Sequence, residues 1–400
     1  MKTMNLNFQN IILLFLIAGA IILPSINLGF ISLRLSDLIS LILLPCVFSF
    51  CLLKLTISKA SKLFLLFIFS TCISLFNSYF FLNVPFSIRD INEILRYIIL
   101  LFVLFYASSI SYDKIVKICD LFFAKTYLFL FIFGFFQRFF YAYLPTNILK
   151  LWGGDIHVDT LLSSTLHRIF ITGSDPNIGA VIAALYMFYF YSKFYNTKNR
   201  IYIIRLLLML ILIVFTSSRT ILVGVFFVFL FHTFVYSKIK ISKKIVIFLF
   251  CIVIFTIIFF NTPYLYLGVS SLLKGTNNSV LVRLSNFLES IELFKQSPIF
   301  GWGPAKVIHK TVADGEYFLI LRRYGLFGVF SFLLFIIYSL KISKKYIDTE
   351  FGLIFFLYVR LGLFVMITNN LLSGYQLGVP FVVLLGGLES YKRYKIQRTK

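Results

Sequence analysis

Apolar residues run in long blocks almost from end to end of this chain, and polar residues gather in short stretches between them. A bilayer crossing needs about 20 apolar residues of α-helix, and blocks near that length recur throughout. Twelve qualify, at about 10–24, 38–53, 63–82, 92–110, 119–137, 177–195, 201–217, 219–236, 245–261, 317–340, 351–368 and 375–390. The pattern predicts an all-α, polytopic integral membrane helical bundle of about 12 transmembrane helices, with residues 1–400 as a single transmembrane domain. Lys2, the apolar run from Ile11 and Ala18-Gly19-Ala20 imitate a signal peptide. Apolar sequence continues through Leu23, so the segment is read as an uncleaved first span.

The connections alternate in charge. Lys54, Lys59 and Lys62 follow span 2, Lys114 and Lys117 follow span 4, and Lys193, Lys198 and Arg200 follow span 6. Lys238, Lys240, Lys243 and Lys244 follow span 8, Lys341, Lys344 and Lys345 follow span 10, and five more basic residues end the chain. All fall on one side together with both termini, which the positive-inside rule makes the cytoplasm. The other side carries two long connections, 138–176 and 262–316. Its basic residues are of another kind: 9 Arg and 5 Lys, against 18 Lys and 3 Arg at cytoplasmic positions. Lysine suffices for orientation, whereas the planar fork of arginine fits phosphate and carboxylate oxygens two at a time. An Arg-rich outer face suggests an anionic substrate, with headgroup contacts and salt bridges as the plainer alternative.

Composition then excludes several classes. At 60% hydrophobic the chain is too apolar for a soluble globular protein, which is roughly half apolar. The formal charge of +23 is accounted for by lysines flanking spans, so nucleic acid is not an expected partner. The five cysteines form no CxxC or Cys/His cluster, which argues against a disulfide framework or a zinc site. No Asp-x-Asp pattern lies on the outer side, so neither a metal nor another cofactor is expected.

Four polar segments stand out. In HRIFITGSDPNIGA (167–180), Asp175-Pro176-Asn177 signals a turn and a cap opening span 6, with Arg168 just before it. Such a helix start is also an anion site. In FTSSRTILVG (215–224), Arg219 begins span 8 at the outer boundary among hydroxyls, as a functional cation or one that snorkels to headgroups. Residues Ser279 to Gln296 predict an amphipathic helix: Leu281, Leu284, Leu288 and Ile291 share a face, and Arg283, Asn286, Glu289 and Ser290 lie opposite. The fourth, FGWGPAKVIHKTVADGEYFLILRRYGLFG (300–328), joins a tight loop at Gly301 and Gly303 to span 10. There Asp314 and Glu316 are acids at a helix start, favourable for capping alone, and Arg322 and Arg323 follow inside the span. Helical spacing lets Tyr317 stack beside Tyr324 and makes a Glu316–Arg323 pair plausible. His309 stands alone in the loop, and Arg360 is mid-span with an unidentified partner.

Twelve spans, a large late outward loop, SPIFGWGP at 297–304, DGEYFLILRRYGLFG at 314–328, SDPNIGA at 174–180 and TSSRT at 216–220 together resemble bacterial O-antigen polymerases of the Wzy type, within the wider O-antigen ligase and polymerase group. The resemblance implies a glycosyltransferase of the bacterial inner membrane, with periplasmic loops. The donor would be a growing glycan on undecaprenyl pyrophosphate, and the acceptor the next lipid-linked repeat unit. Membrane lipid and a chain-length regulator protein are the further partners it implies. Ligases of the group place a His-Asn pair just before the late helix; this chain has Asp314-Gly315-Glu316-Tyr317, which favours polymerase over ligase. A transporter or flippase is the competing class, but the 192–200 link is short and no internal repeat is visible. On the polymerase reading Arg219 and Arg283 hold pyrophosphate, supported by Arg168 and Arg323, and Asp314 or Glu316 accepts the hydroxyl proton. Arg322, Tyr317, Tyr324, Gly301 and Gly303 complete the rim.

Overall fold

The computed structural model describes residues 8–27, 32–34, 57–163, 167–237, 239–308 and 315–398. Among them the protein is almost wholly helical. The helices are α1 (Phe8–Ile21), α2 (Lys59–Phe80), α3 (Ile88–Ser109), α4 (Tyr112–Phe139), α5 (Thr146–Lys150), α6 (Asp155–Ser163), α7 (Pro176–Thr197) and α8 (Ile201–Thr216). They continue as α9 (Arg219–Phe231), α10 (Ile241–Asn261), α11 (Pro263–Leu273), α12 (Asn278–Gln296), α13 (Glu316–Lys345), α14 (Glu350–Thr368) and α15 (Tyr375–Arg398). A single π-helical segment, His232–Tyr236, extends α9.

Eight of these are long and apolar enough to cross a membrane: α2, α3, α4, α7, α9 with its π-helical extension, α10, α13 and α14. The blocks near 10–24 and 201–217 form shorter apolar helices, and the block 375–390 lies within α15. The expected span 38–53 lies outside the described residues. The protein is therefore a polytopic helical membrane protein. One element escapes helical periodicity: β1 (Ser25–Asn27) and β2 (Ser32–Arg34) form a short antiparallel ribbon pairing Ile26 with Leu33.

Helix starts follow local chemistry. The Ser58 hydroxyl accepts from Ser61 N at 3.1 Å before α2, and the Ser87 hydroxyl accepts from Arg89 N before α3. The two long connections are not bare loops. The first contains α5 and α6, and the second contains α11 and the expected amphipathic helix, α12.

The chain divides into two compact units. The first comprises residues 1–124, 283–356 and 366–400, and the second comprises 125–282 and 357–365. In the first unit α3 packs on α15, and α2 packs on α13. Small residues let the helices approach: a Cβ at Gly386 would stand 2.7 Å from that of Ala107, and Ser70 meets Ser331 hydroxyl to hydroxyl at 3.0 Å. In the second unit α7 packs along α8 and against α9.

Candidate active-site clusters

In the second unit three sequence-distant segments meet. Asp175 caps α7, its Oδ1 accepting from Asn177 N at 2.7 Å and Ile178 N at 3.1 Å. Pro176 stands at the first helical position, where its missing N–H costs nothing. The preceding loop is pinned by Gln137, whose Oε1 accepts from Phe170 N and Ile171 N and whose Nε2 donates to Ile171 O. This fixes Arg168, which donates from Nε to Thr216 O at 3.2 Å. Ser218 Oγ donates to Asn177 Oδ1 at 2.7 Å, closing the same junction.

Tyr264, near the start of α11, completes the cluster. Arg168 Nη1 donates to its hydroxyl at 3.1 Å, and the Arg168 guanidinium lies 4.5 Å from its ring centre. Arg219 lies 5.0 Å from the same ring. Two guanidiniums thus share one aromatic ring, a quadrupole that offsets part of their mutual repulsion. Arg219 also lies over Gly268, where a Cβ would fall 1.9 Å from its Nη1. Among the described residues the Arg219 side chain makes no hydrogen bond or ion pair. His157, from α6, faces Asp175 and Arg168; burial holds its imidazole below the ordinary range, Asp175 opposes that, and Arg168 adds to it.

In the first unit the glycine loop and span 10 prove to be one construction. Gly325 sits inside α13 with φ 59° and ψ −160°, a break that frees carbonyls on its N-terminal side. The 298–303 loop takes them: Trp302 N donates to Arg322 O at 3.0 Å, and Gly303 N to Arg323 O at 2.8 Å. In return Leu326 N donates to Pro298 O, and Phe327 N to Ile299 O. The approach needs glycine twice over. Gly301, at φ +72°, would place a Cβ 2.4 Å from Arg323 O, and Gly325 would place one 2.5 Å from Ile299 O. Asn77 of α2 donates to Gly301 O at 2.9 Å, Trp302 Nε1 donates to Leu293 O at 2.9 Å, and Ser74 Oγ donates to Arg323 O.

The kinked turn aims its charges into the unit. Arg323 Nη1 lies 2.6 Å from both carboxylate oxygens of Glu93. Tyr324 OH donates to Glu93 at 2.5 Å, and Lys306 Nζ stands 3.2 Å away. Asp90, one turn earlier on α3, accepts from Lys306 N at 3.0 Å and Tyr79 OH at 3.0 Å. Glu93 and Asp90 are buried, so these ion pairs are desolvated and hydrogen-bonded, the condition under which buried charge is tolerated.

The expected site residues therefore separate into roles. Arg168 and Arg219 come together, around a tyrosine that sequence reasoning did not single out. Arg323 pairs with Glu93, not with Glu316. Glu316 is fully buried and accepts backbone N–H groups from Leu371, Leu372 and Ser373, at 2.9 Å and 2.8 Å for the last two. The Tyr324 ring packs edge-on to Phe67 and Tyr97 rather than on Tyr317, which is half-buried. Arg283 is half-buried on the α12 face that carries Asn286 and the fully buried Ser290, while Leu281, Leu284 and Leu288 are exposed. The leucine stripe of α12 is thus exposed, whereas Arg283, Asn286 and Ser290 are turned inward and Glu289 is exposed. Asp314 and His309 lie outside the described residues. Arg360 stands over the Phe231 ring at 5.7 Å and bonds Tyr236, supplying the partner its sequence position left open.

A comparison with curated proteins finds no match to this chain. Residues 204–340, roughly a third of it, match the family model described as O-antigen ligase. The matched segment contains Arg219, Tyr264, Arg283, the 298–303 loop and the Arg322-Arg323 turn, and leaves out Arg168 and Glu93. Over that segment the chain is similar to the O-antigen ligase family.

Proposed function

We propose that the protein is a polysaccharide polymerase of the inner membrane. It transfers a growing glycan from undecaprenyl pyrophosphate to a hydroxyl of the next lipid-linked repeat unit, at the periplasmic face. The observation that carries this reading is the pair of guanidiniums, Arg168 and Arg219, on the Tyr264 ring. Two fixed cations side by side match a pyrophosphate, and arginine matches its oxygens two at a time.

The chemistry follows from that match. The acceptor hydroxyl oxygen forms a bond to the anomeric carbon of the donor sugar. The bond from that carbon to the pyrophosphate oxygen breaks, and the electron pair leaves with the lipid pyrophosphate. Charge grows on the leaving oxygens, where preorganised donors act most strongly. The hydroxyl proton passes to a carboxylate. Glu316 is filled by three backbone amides and anchors the 371–373 turn, so Asp314, by its place just before α13, is the proton acceptor in this reading. The Asp314-Gly315-Glu316-Tyr317 sequence supports polymerisation over ligation.

The test is polymer length in cells carrying Arg219→Gln or Arg168→Gln. Loss of one preorganised donor slows such a step by roughly 100- to 1,000-fold, so long chains disappear while the variants still insert. Normal-length polymer from both variants would remove the pyrophosphate assignment.

A further inference from the structure

No contact described so far engages the Arg322 side chain. It is 2% exposed, among the largest fully buried side chains of the protein. Its neighbour Arg323 is matched to Glu93, and Lys306 to Glu93 and the carbonyl of Arg89. The Arg322 side chain makes no hydrogen bond or ion pair among the described residues, and its Nη2 is sealed from solvent without a partner. The charges that face it are Arg323, the exposed Glu289 of α12, and Glu93, which is already committed to three donors.

A buried guanidinium with open donors is costly, because every unmade bond forfeits its hydration. The turn that holds it is nonetheless built with care. Its own carbonyl is taken by Trp302 N, and the turn is set by two glycines at positive φ. Phe318, one turn before Arg322, packs edge-on against Phe287 of α12 at 4.5 Å, and Glu289 of the same helix acts electrostatically on the guanidinium. A structural cation would be satisfied by the fold, as Arg323 is. A cation held in place with its donors unspent is suited to an oxyanion brought from outside.

We propose that Arg322 receives the carboxylate of an acidic sugar in the acceptor repeat unit, so that the enzyme polymerises an acidic glycan. The proposal rests on the polymerase reading for the identity of the acceptor, but not for the anion site itself. A carboxylate fits the guanidinium edge with two parallel hydrogen bonds and brings one negative charge for one positive. Specificity follows from the same geometry. A site built to bond a polar group rejects an analogue lacking it far more strongly than an apolar pocket rejects a missing methylene.

The experiment uses the full chain in detergent with lipid-linked repeat units extracted from the host, native or with their carboxyls reduced to alcohols. The wild type should lengthen the native repeat and elongate the reduced repeat at least ten-fold more slowly. Arg322→Gln should treat the two alike, at the lower rate, and Arg322→Lys should recover part of the preference. A host repeat without an acidic sugar, or a wild type that elongates both forms equally, overturns the proposal and leaves the polymerase reading standing. If no ladder forms from either repeat, the polymerase reading fails, and the anion site is judged by thermal unfolding with methyl glucuronide and methyl glucoside. Stabilisation by the glucuronide alone, lost in Arg322→Gln, keeps the site; equal or no stabilisation by both removes it.

Discussion

Glu93 is the place where one substitution should report most about how the first unit is held. Its carboxylate is 5% exposed and takes Arg323 on both oxygens, the hydroxyl of Tyr324 and the ammonium of Lys306. Glu93→Gln keeps the shape and removes the charge. Arg323, which is 4% exposed, is then left facing a neutral amide with its Nε already unpartnered. Breaking a buried pair in this way costs about 3–5 kcal/mol. An overlapping range, about 3–6 kcal/mol, follows from losing two charge-assisted hydrogen bonds at about 1.5–3 kcal/mol each. Lys306 is an internal control, because its side chain is 26% exposed and its contact is screened. Lys306→Met should therefore cost no more than about 1 kcal/mol. The assay is unfolding of the purified chain in mixed micelles of rising sodium dodecyl sulfate fraction. Replacing Glu93 and Arg323 together with methionine should recover most of the loss, since apolar replacement of a buried pair is often neutral. A Glu93→Gln cost below about 1 kcal/mol, or one equal to that of Lys306→Met, would refute the reasoning.

Three further outcomes are expected. Gly301→Ala and Gly325→Ala each force a Cβ to about 2.5 Å from a backbone oxygen, in left-handed backbone, so each should lower the unfolding midpoint more than Gly275→Ala, which meets open space. Glu316→Gln should impair folding of the 371–373 turn and Asp314→Asn the transfer rate, measured as midpoint and as turnover in matched preparations; the reverse pattern would exchange their roles. His157 has a folded-state pKa below its unfolded value, so its contribution is complete above the unfolded range and is lost as pH falls through it. Wild-type stability should therefore drop between pH 7 and pH 5 by more than that of His157→Asn, as read by thermal unfolding at each pH.

What the sequence could reveal was what local pattern encodes. Helices α2, α3, α7, α10 and α13 follow from runs of apolar residues, and the Asp175-Pro176 cap and the α12 amphipathy from spacing alone. Partners distant in the chain were another matter. Glu93 lies 230 residues before Arg323, and nothing near either names the other. Counting along one helix suggested Glu316 instead, but that carboxylate is taken by the backbone amides of 371–373, and Arg323 is turned to Glu93 on another helix. Tyr264 was hidden for a related reason. It sits at the head of a short helix inside a stretch read as loop, and an aromatic residue in an aromatic-rich chain carries little signal of its own. The two motifs around Arg168 and Arg219 were legible as motifs, but their meeting was not.

The most direct test of the central claim is reconstitution: purified protein, lipid-linked repeat units, and products resolved by length. The account predicts a ladder of increasing lengths from the wild type, and none from the Arg168→Gln, Arg219→Gln double variant purified in the same folded state. An undiminished ladder from that variant would contradict the pyrophosphate assignment. Transfer only when lipid A-core is supplied as acceptor would contradict polymerisation and identify a ligase.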